Sequence, residues 1–74
     1  MNSHIHRAIR ESGSQHRLAE ACRVTQAAVS KWANGGRVSA ENALAIQRAT
    51  SGAVTVHDLR PDIFGPGPAE RDAA

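Results

Sequence analysis

Apolar positions in the first half of the chain recur at three- and four-residue spacing between short polar breaks, the pattern of several brief amphipathic helices. In "SHIHRAIRESG", Ile5, Ala8 and Ile9 share a helical stripe, Ser3 can cap its start, and Gly13 can take the left-handed conformation that ends it. "SQHRLAEACR" restarts with Ser14 as N-cap and aligns Leu18, Ala21 and Cys22, with Ala19 beside them. Val24 then marks a tight connection. Thr25 has the hydroxyl to cap a third helix whose inward residues are Ala28, Val29 and Trp32, until "NGG" breaks it.

After "GGRV", Ser39 can cap a fourth helix, "AENALAIQRAT", with Glu41 early and Arg48 late as the helix dipole prefers. Leu44 and Ile46 lie about 200° apart around a helix and cannot share a face. One of them is expected in the core, and the other against a further segment or a partner chain. "AVTVHDLRP" offers Thr55 and Asp58 as a capping box, and Pro61 limits continuation, which predicts a fifth, short helix. The β-branched "GAVTV" keeps a β-hairpin open as the alternative over 53–64. Ile63 and Phe64 follow, and from Gly65 onward "GPGPAERDAA" is a polar, Gly/Pro-rich tail expected to be disordered. The prediction is an all-α bundle of about five short helices, with a domain over 1–64 and a tail over 65–74.

Size limits what this core can supply. The chain has 74 residues, 41% of them hydrophobic, and below about 80 residues a single core contributes only a few kcal/mol. No internal disulfide can help, because Cys22 is the single cysteine, which suits a reducing cytoplasm. Self-association is the expected source of further stability. "MNSHIHRAIRESG" never assembles the apolar run of an export signal, and no stretch is long enough to cross a membrane.

Charge adds a direction. Residues 1–48 hold seven Arg or Lys against three Glu, whereas residues 49–74 hold two Arg against four acidic residues. The basic part suits a polyanion, although charge alone fits a solvated surface equally well.

Two short helices joined by about three residues, each with an apolar inner face, make the sequence form of a helix-turn-helix. Leu18, Cys22, Val24, Val29 and Trp32 supply the inward positions, and Ala19 is small where the helices approach. "QHRLAEACRVTQAAVSKWANG" resembles the helix-turn-helix of Cro/cI-type repressors, and most of all the small Cro-like and YdaS-type antitoxin regulators of prophages and bacteria. "VTQAAVSKW", "LAIQRATSGAVT" and "LRPDIF" carry the likeness over roughly residues 5 to 64.

The resemblance implies a lambda-repressor-like fold and a recognition helix near Thr25 to Ala33 lying in the major groove of operator DNA. The chemistry of the outer face agrees. Gln26 can pair with adenine N6 and N7, Lys31 can donate to guanine, Ser30 can bond either base, Ala27 can touch a thymine methyl, and Thr25 stands at the start of the same face. Asn34 and Arg37 beyond the helix, and Gln15, His16 and Arg17 at the start of the second, are placed for phosphates. One residue departs from the family pattern. The turn position that is commonly glycine is Arg23 here, a strain of roughly 1 kcal/mol if the position needs a positive φ.

Other features point inward or nowhere. Trp32 sits at core spacing rather than at a base-stacking position, and Cys22 reads as a small buried hydrophobe. His4, His6, His16 and His57 form no recognised zinc spacing, and no phosphate loop or nucleophile motif suggests an enzyme or a cofactor. Leu44, Ile46, Ile63 and Phe64 are the candidates for a two-fold interface, with closure of the core as the competing role for Phe64. The expected function is a cytoplasmic, nucleoid-associated repressor that binds double-stranded operator DNA as a homodimer. The alternative is an antitoxin or protein-interaction module that neutralises a partner, such as a cognate toxin, by direct binding.

Overall fold

The computed structural model describes residues 3–65. Among these residues six helices follow one another: α1 Ser3–Ser12, α2 Gln15–Cys22, α3 Gln26–Ala33, α4 Ala40–Ala49, α5 Val56–Leu59 and α6 Pro61–Phe64. No strand occurs among the described residues, so the hairpin alternative over 53–64 gives way to α5 and α6. None of the helices is long and apolar enough to cross a membrane.

The starts of the helices follow from local side-chain chemistry. Ser14 Oγ accepts the Arg17 N–H at 3.1 Å, Thr25 Oγ1 that of Ala28 at 3.2 Å, and Ser39 Oγ that of Asn42 at 3.2 Å. Thr55 and Asp58 form the anticipated capping box, each side chain accepting from the other's backbone N–H.

Three helix ends share one hydrogen-bond pattern in which two successive N–H groups reach back to carbonyls of the last turn. In α3, Gly35 and Gly36 donate to Trp32 and Lys31; in α2, Arg23 and Val24 donate to Glu20 and Ala19; in α4, Ser51 and Gly52 donate to Arg48 and Gln47. The motif needs a left-handed residue, and the three slots hold Gly35 at φ 97°, Arg23 at φ 58° and Ser51 at φ 53°. Arg23 therefore does occupy the strained position that the sequence flagged.

Helix α2 is central and packs against α1, α3 and α4, while α5 bridges α4 to α6. The core draws Ile5 and Ala8 from α1, Leu18, Ala19 and Cys22 from α2, Val29, Trp32 and Ala33 from α3, and Ala43 and Ile46 from α4. Val38, Val54 and Val56 complete it from the connections and the start of α5. Burial raises the pKa of the Cys22 thiol, which keeps it protonated. Thr50, the one buried polar residue among those described, is satisfied by local bonds: its hydroxyl lies 2.9 Å from the Ile46 carbonyl and accepts the Val54 N–H at 3.2 Å.

Four expectations need correction. Ala21 is exposed and Ala19 is buried: the two lie about 200° apart around the helix and cannot share a face, and it is Ala19 that joins Leu18 and Cys22 where the helices approach. Pro61 opens a sixth helix instead of only closing the fifth, because proline's fixed φ and missing N–H suit the first helical position. Ile46 is wholly buried in the core and can offer nothing to a partner, so of the pair on α4 only Leu44, 40% exposed, remains for an interface. Gly65 belongs to the fold rather than to the tail: its N–H donates to Pro61 at 2.9 Å and its carbonyl accepts from His57 Nδ1 at 3.0 Å. The rest of the expected tail, 66–74, lies outside the described residues.

Candidate nucleic-acid interface

Helix α3 separates its residues by face. Val29, Trp32 and Ala33 are buried and Ala28 is partly so, while Thr25, Gln26, Ala27 and Lys31 are exposed and Ser30 is half-buried. The outward residues follow a helical repeat, so that Gln26 and Ser30, and likewise Ala27 and Lys31, stack one turn apart. Together with Asn34 and Arg37, several of them border an open groove along the end of α3 and the following loop. Thr25 keeps only part of its hydrogen-bonding capacity, because its oxygen already caps the helix.

The surroundings of this face are basic. Among the described residues, Arg17, Arg23, Lys31 and Arg37 are all exposed and enter no ion pair within 4 Å. Arg37 reaches Asp62 only through longer-range attraction, one of several causes that lower the Asp62 pKa to about 2, the largest being the hydrogen bonds from Arg60. Lys31 and Arg37, unpaired and bordering the groove at the end of α3, can engage phosphates while short side chains approach base edges.

Two candidates for phosphate contact are otherwise engaged. Asn34 Nδ2 donates to the Ser30 carbonyl at 2.9 Å and so closes the end of α3, which engages one of the two donors of its side-chain amide. His16 Nε2 pairs with Glu20 one turn along α2, which places a carboxylate beside it. Gln15 is half-buried at the first position of α2, where the early N–H groups of a helix lack partners within it. Arg17 is exposed, with its aliphatic part over Gly13.

Sequence reasoning passed over Arg60. Its side chain is only 14% exposed and donates through Nη1 to the Val38 carbonyl at 2.7 Å, in the loop that carries Arg37. Nε and Nη2 bond the two carboxylate oxygens of Asp62 at 2.9 and 2.7 Å. Arg60 and Val38 stand 22 residues apart, and neither periodicity nor motif spacing signals such a pairing.

Residues 5–68 match the family described as bacterial toxin YdaS. The chain belongs to the YdaS toxin family. It is also Cro-like: among solved structures, the Cro protein from putative prophage element Xfaso 1 in Xylella fastidiosa strain Ann-1 is 48% identical. That likeness covers 88% of this chain and 98% of the other, with a TM-score of 0.79. No curated protein matches the chain. The resemblance noted in "VTQAAVSKW" and "LRPDIF" thus extends over nearly the whole length of this YdaS-family chain.

Proposed function

We propose that this chain is a sequence-specific DNA-binding transcriptional regulator, a Cro-like repressor that binds a palindromic operator as a homodimer with α3 in the major groove. The observation that carries the reading is the division of α3, whose inner residues are buried in the core while Gln26, Ala27 and Lys31 are exposed, with Lys31 and Arg37 bordering one groove. In this reading Thr25, Gln26, Ala27, Ser30 and Lys31 meet base edges. Arg17 and Arg37 bind phosphates directly, while Gln15, His16 and Asn34 assist at the ends of α2 and α3. Ile63, 50% exposed, and Leu44 form the apolar contact between protomers, joined by the half-buried Phe64. Two recognition helices then lie about one DNA turn apart, roughly 34 Å. A phage-like or toxin-antitoxin promoter next to the chain's own gene is the natural target.

A footprint on that intergenic DNA tests the proposal. Two symmetric protected half-sites are expected, and Gln26→Ala should weaken operator binding by about 1 to 3 kcal/mol while relaxing one base position. If Gln26→Ala and Lys31→Ala together bind the operator as tightly as wild type, α3 is not the reading helix.

A second reading, direct action on a partner protein, is favoured by the toxin in the family's description and by the exposed Ile63 and Leu44. The antitoxin role expected from the sequence is one form of it. Induced expression in a host separates the two. Growth arrest that survives Gln26→Ala with Lys31→Ala, or its reversal by the neighbouring gene product, supports protein-directed action. Arrest that disappears with DNA binding supports the operator.

A further inference from the structure

We propose that Arg60 is a positioning residue for Arg37: it fixes the loop that presents this cation to the phosphate backbone, an inference that rests on the DNA-binding function proposed above. The loop is held on both sides of Arg37. On one side the Gly36 N–H donates to the Lys31 carbonyl at 2.7 Å, and a Cβ built on Gly36 would lie 2.7 Å from that same oxygen, so the backbone is pressed against the end of α3. On the other side the Val38 side chain is buried, and its carbonyl accepts from Arg60 at 2.7 Å. Arg37, between the two anchors, is exposed.

The anchor on the Val38 side is itself fixed. Asp62 takes two of Arg60's donors in a bidentate pair, and the third reaches Val38. Only a planar guanidinium can serve both at once, since a lysine ammonium offers one point of charge in place of a fork. A cation held in place loses less freedom on binding a phosphate than one on a loose loop. Asp62 and Ile63 are neighbours in α6, so the segment that carries the exposed Ile63 and the loop that carries Arg37 are joined through one side chain.

Phosphate contacts do not depend on base sequence, so the full chain can be titrated with a random-sequence 20-base-pair duplex at several salt concentrations. The proteins are wild type, Arg37→Ala, Arg60→Lys and the double variant. Arg37→Ala should flatten the slope of log affinity against log salt by about 0.9, one phosphate contact. Arg60→Lys should weaken binding about two- to fivefold, the range of one exposed charge contact. The double variant should bind no more weakly than Arg37→Ala. Wild-type affinity in Arg60→Lys, or a loss that adds in full to that of Arg37→Ala, overturns the positioning role and leaves the DNA-binding reading intact. Failure of the wild type to bind duplex DNA overturns both. Should Arg60→Lys fail to fold, backbone relaxation of the wild type decides instead. An Arg37 amide order parameter near about 0.85 supports the held loop, and a value below about 0.6 refutes it.

Discussion

Arg23→Gly removes a Cβ from a backbone held left-handed, at φ 58° and ψ 43°, where the last turn of α2 closes onto Ala19 and Glu20. For an L-residue this conformation costs roughly 1 to 2 kcal/mol. Glycine relieves that strain but widens the unfolded ensemble, which takes back about 0.4 to 1 kcal/mol. The net gain is therefore about 0 to 1.5 kcal/mol, and each kcal/mol raises the Tm of a domain this size by about 4 to 8 °C. Three variants followed by circular dichroism separate strain from side-chain contacts. Arg23→Ala keeps the Cβ and loses the exposed guanidinium, and should melt close to wild type. Arg23→Asn tolerates the left-handed region without glycine's entropy and should equal or exceed Arg23→Gly. Arg23→Val, β-branched, should melt lowest. If Arg23→Ala instead falls well below wild type while Arg23→Gly and Arg23→Asn fall with it, the guanidinium stabilises the turn and the strain argument fails.

Thr50→Val deprives the buried Val54 N–H of its 3.2 Å acceptor and should cost about 1 to 3 kcal/mol in thermal denaturation, whereas Thr50→Ser should recover most of it. Gly36→Ala brings a methyl to within 2.7 Å of the Lys31 carbonyl oxygen. It should cost about 1 to 3 kcal/mol and loosen the end of α3, seen as faster amide exchange at residue 36 than in wild type. The Asp62 pKa is depressed from 3.8 to about 2 by the Arg60 hydrogen bonds. A carboxylate with a depressed folded-state pKa contributes its stability fully above the unfolded value and loses it as pH falls through the folded one. Stability should thus drop between about pH 4 and pH 2 more steeply in wild type than in Asp62→Asn, as read from Tm against pH.

The parts of this fold that were legible in the sequence are those decided within three or four residues. Ser14, Thr25, Ser39 and the Thr55–Asp58 pair all cap as their chemistry indicates, because a cap needs only a hydroxyl or carboxylate and the N–H groups of the next turn. The faces of α3 were legible for the same reason, since the contrast of Val29 and Trp32 with Gln26 and Lys31 is strong. On α2 the contrast is weak. Ala19 and Ala21 are the same residue type, and only the packing of α2 against its neighbours decides which is buried. The choice between Leu44 and Ile46 was likewise settled by which face of α4 packs against α2 and α5, a matter of tertiary contact. Arg60 was invisible for a further reason: its partner carbonyl belongs to Val38, and a backbone acceptor leaves no trace in residue identity.

The eight residues of α3 are too few for a helix to persist alone in water, where even good helix formers need about 12 to 15. Its stability must come from the buried Val29, Trp32 and Ala33, the Thr25 cap and the closure through Gly35 and Gly36. None of these involves the side chains of Gln26, Ala27 or Lys31, which are exposed and enter no side-chain hydrogen bond or ion pair among the described residues. Exchanges there should therefore move stability by no more than about 0.5 kcal/mol, leaving the outer face free to vary, under the proposed function in its base preference, while the inner face keeps the fold. Ser30 is the exception on that surface. It is half-buried, so a large residue at position 30 would have to displace its neighbours as well as alter the groove contact. Specificity on this scaffold should accordingly evolve first through positions 26, 27 and 31.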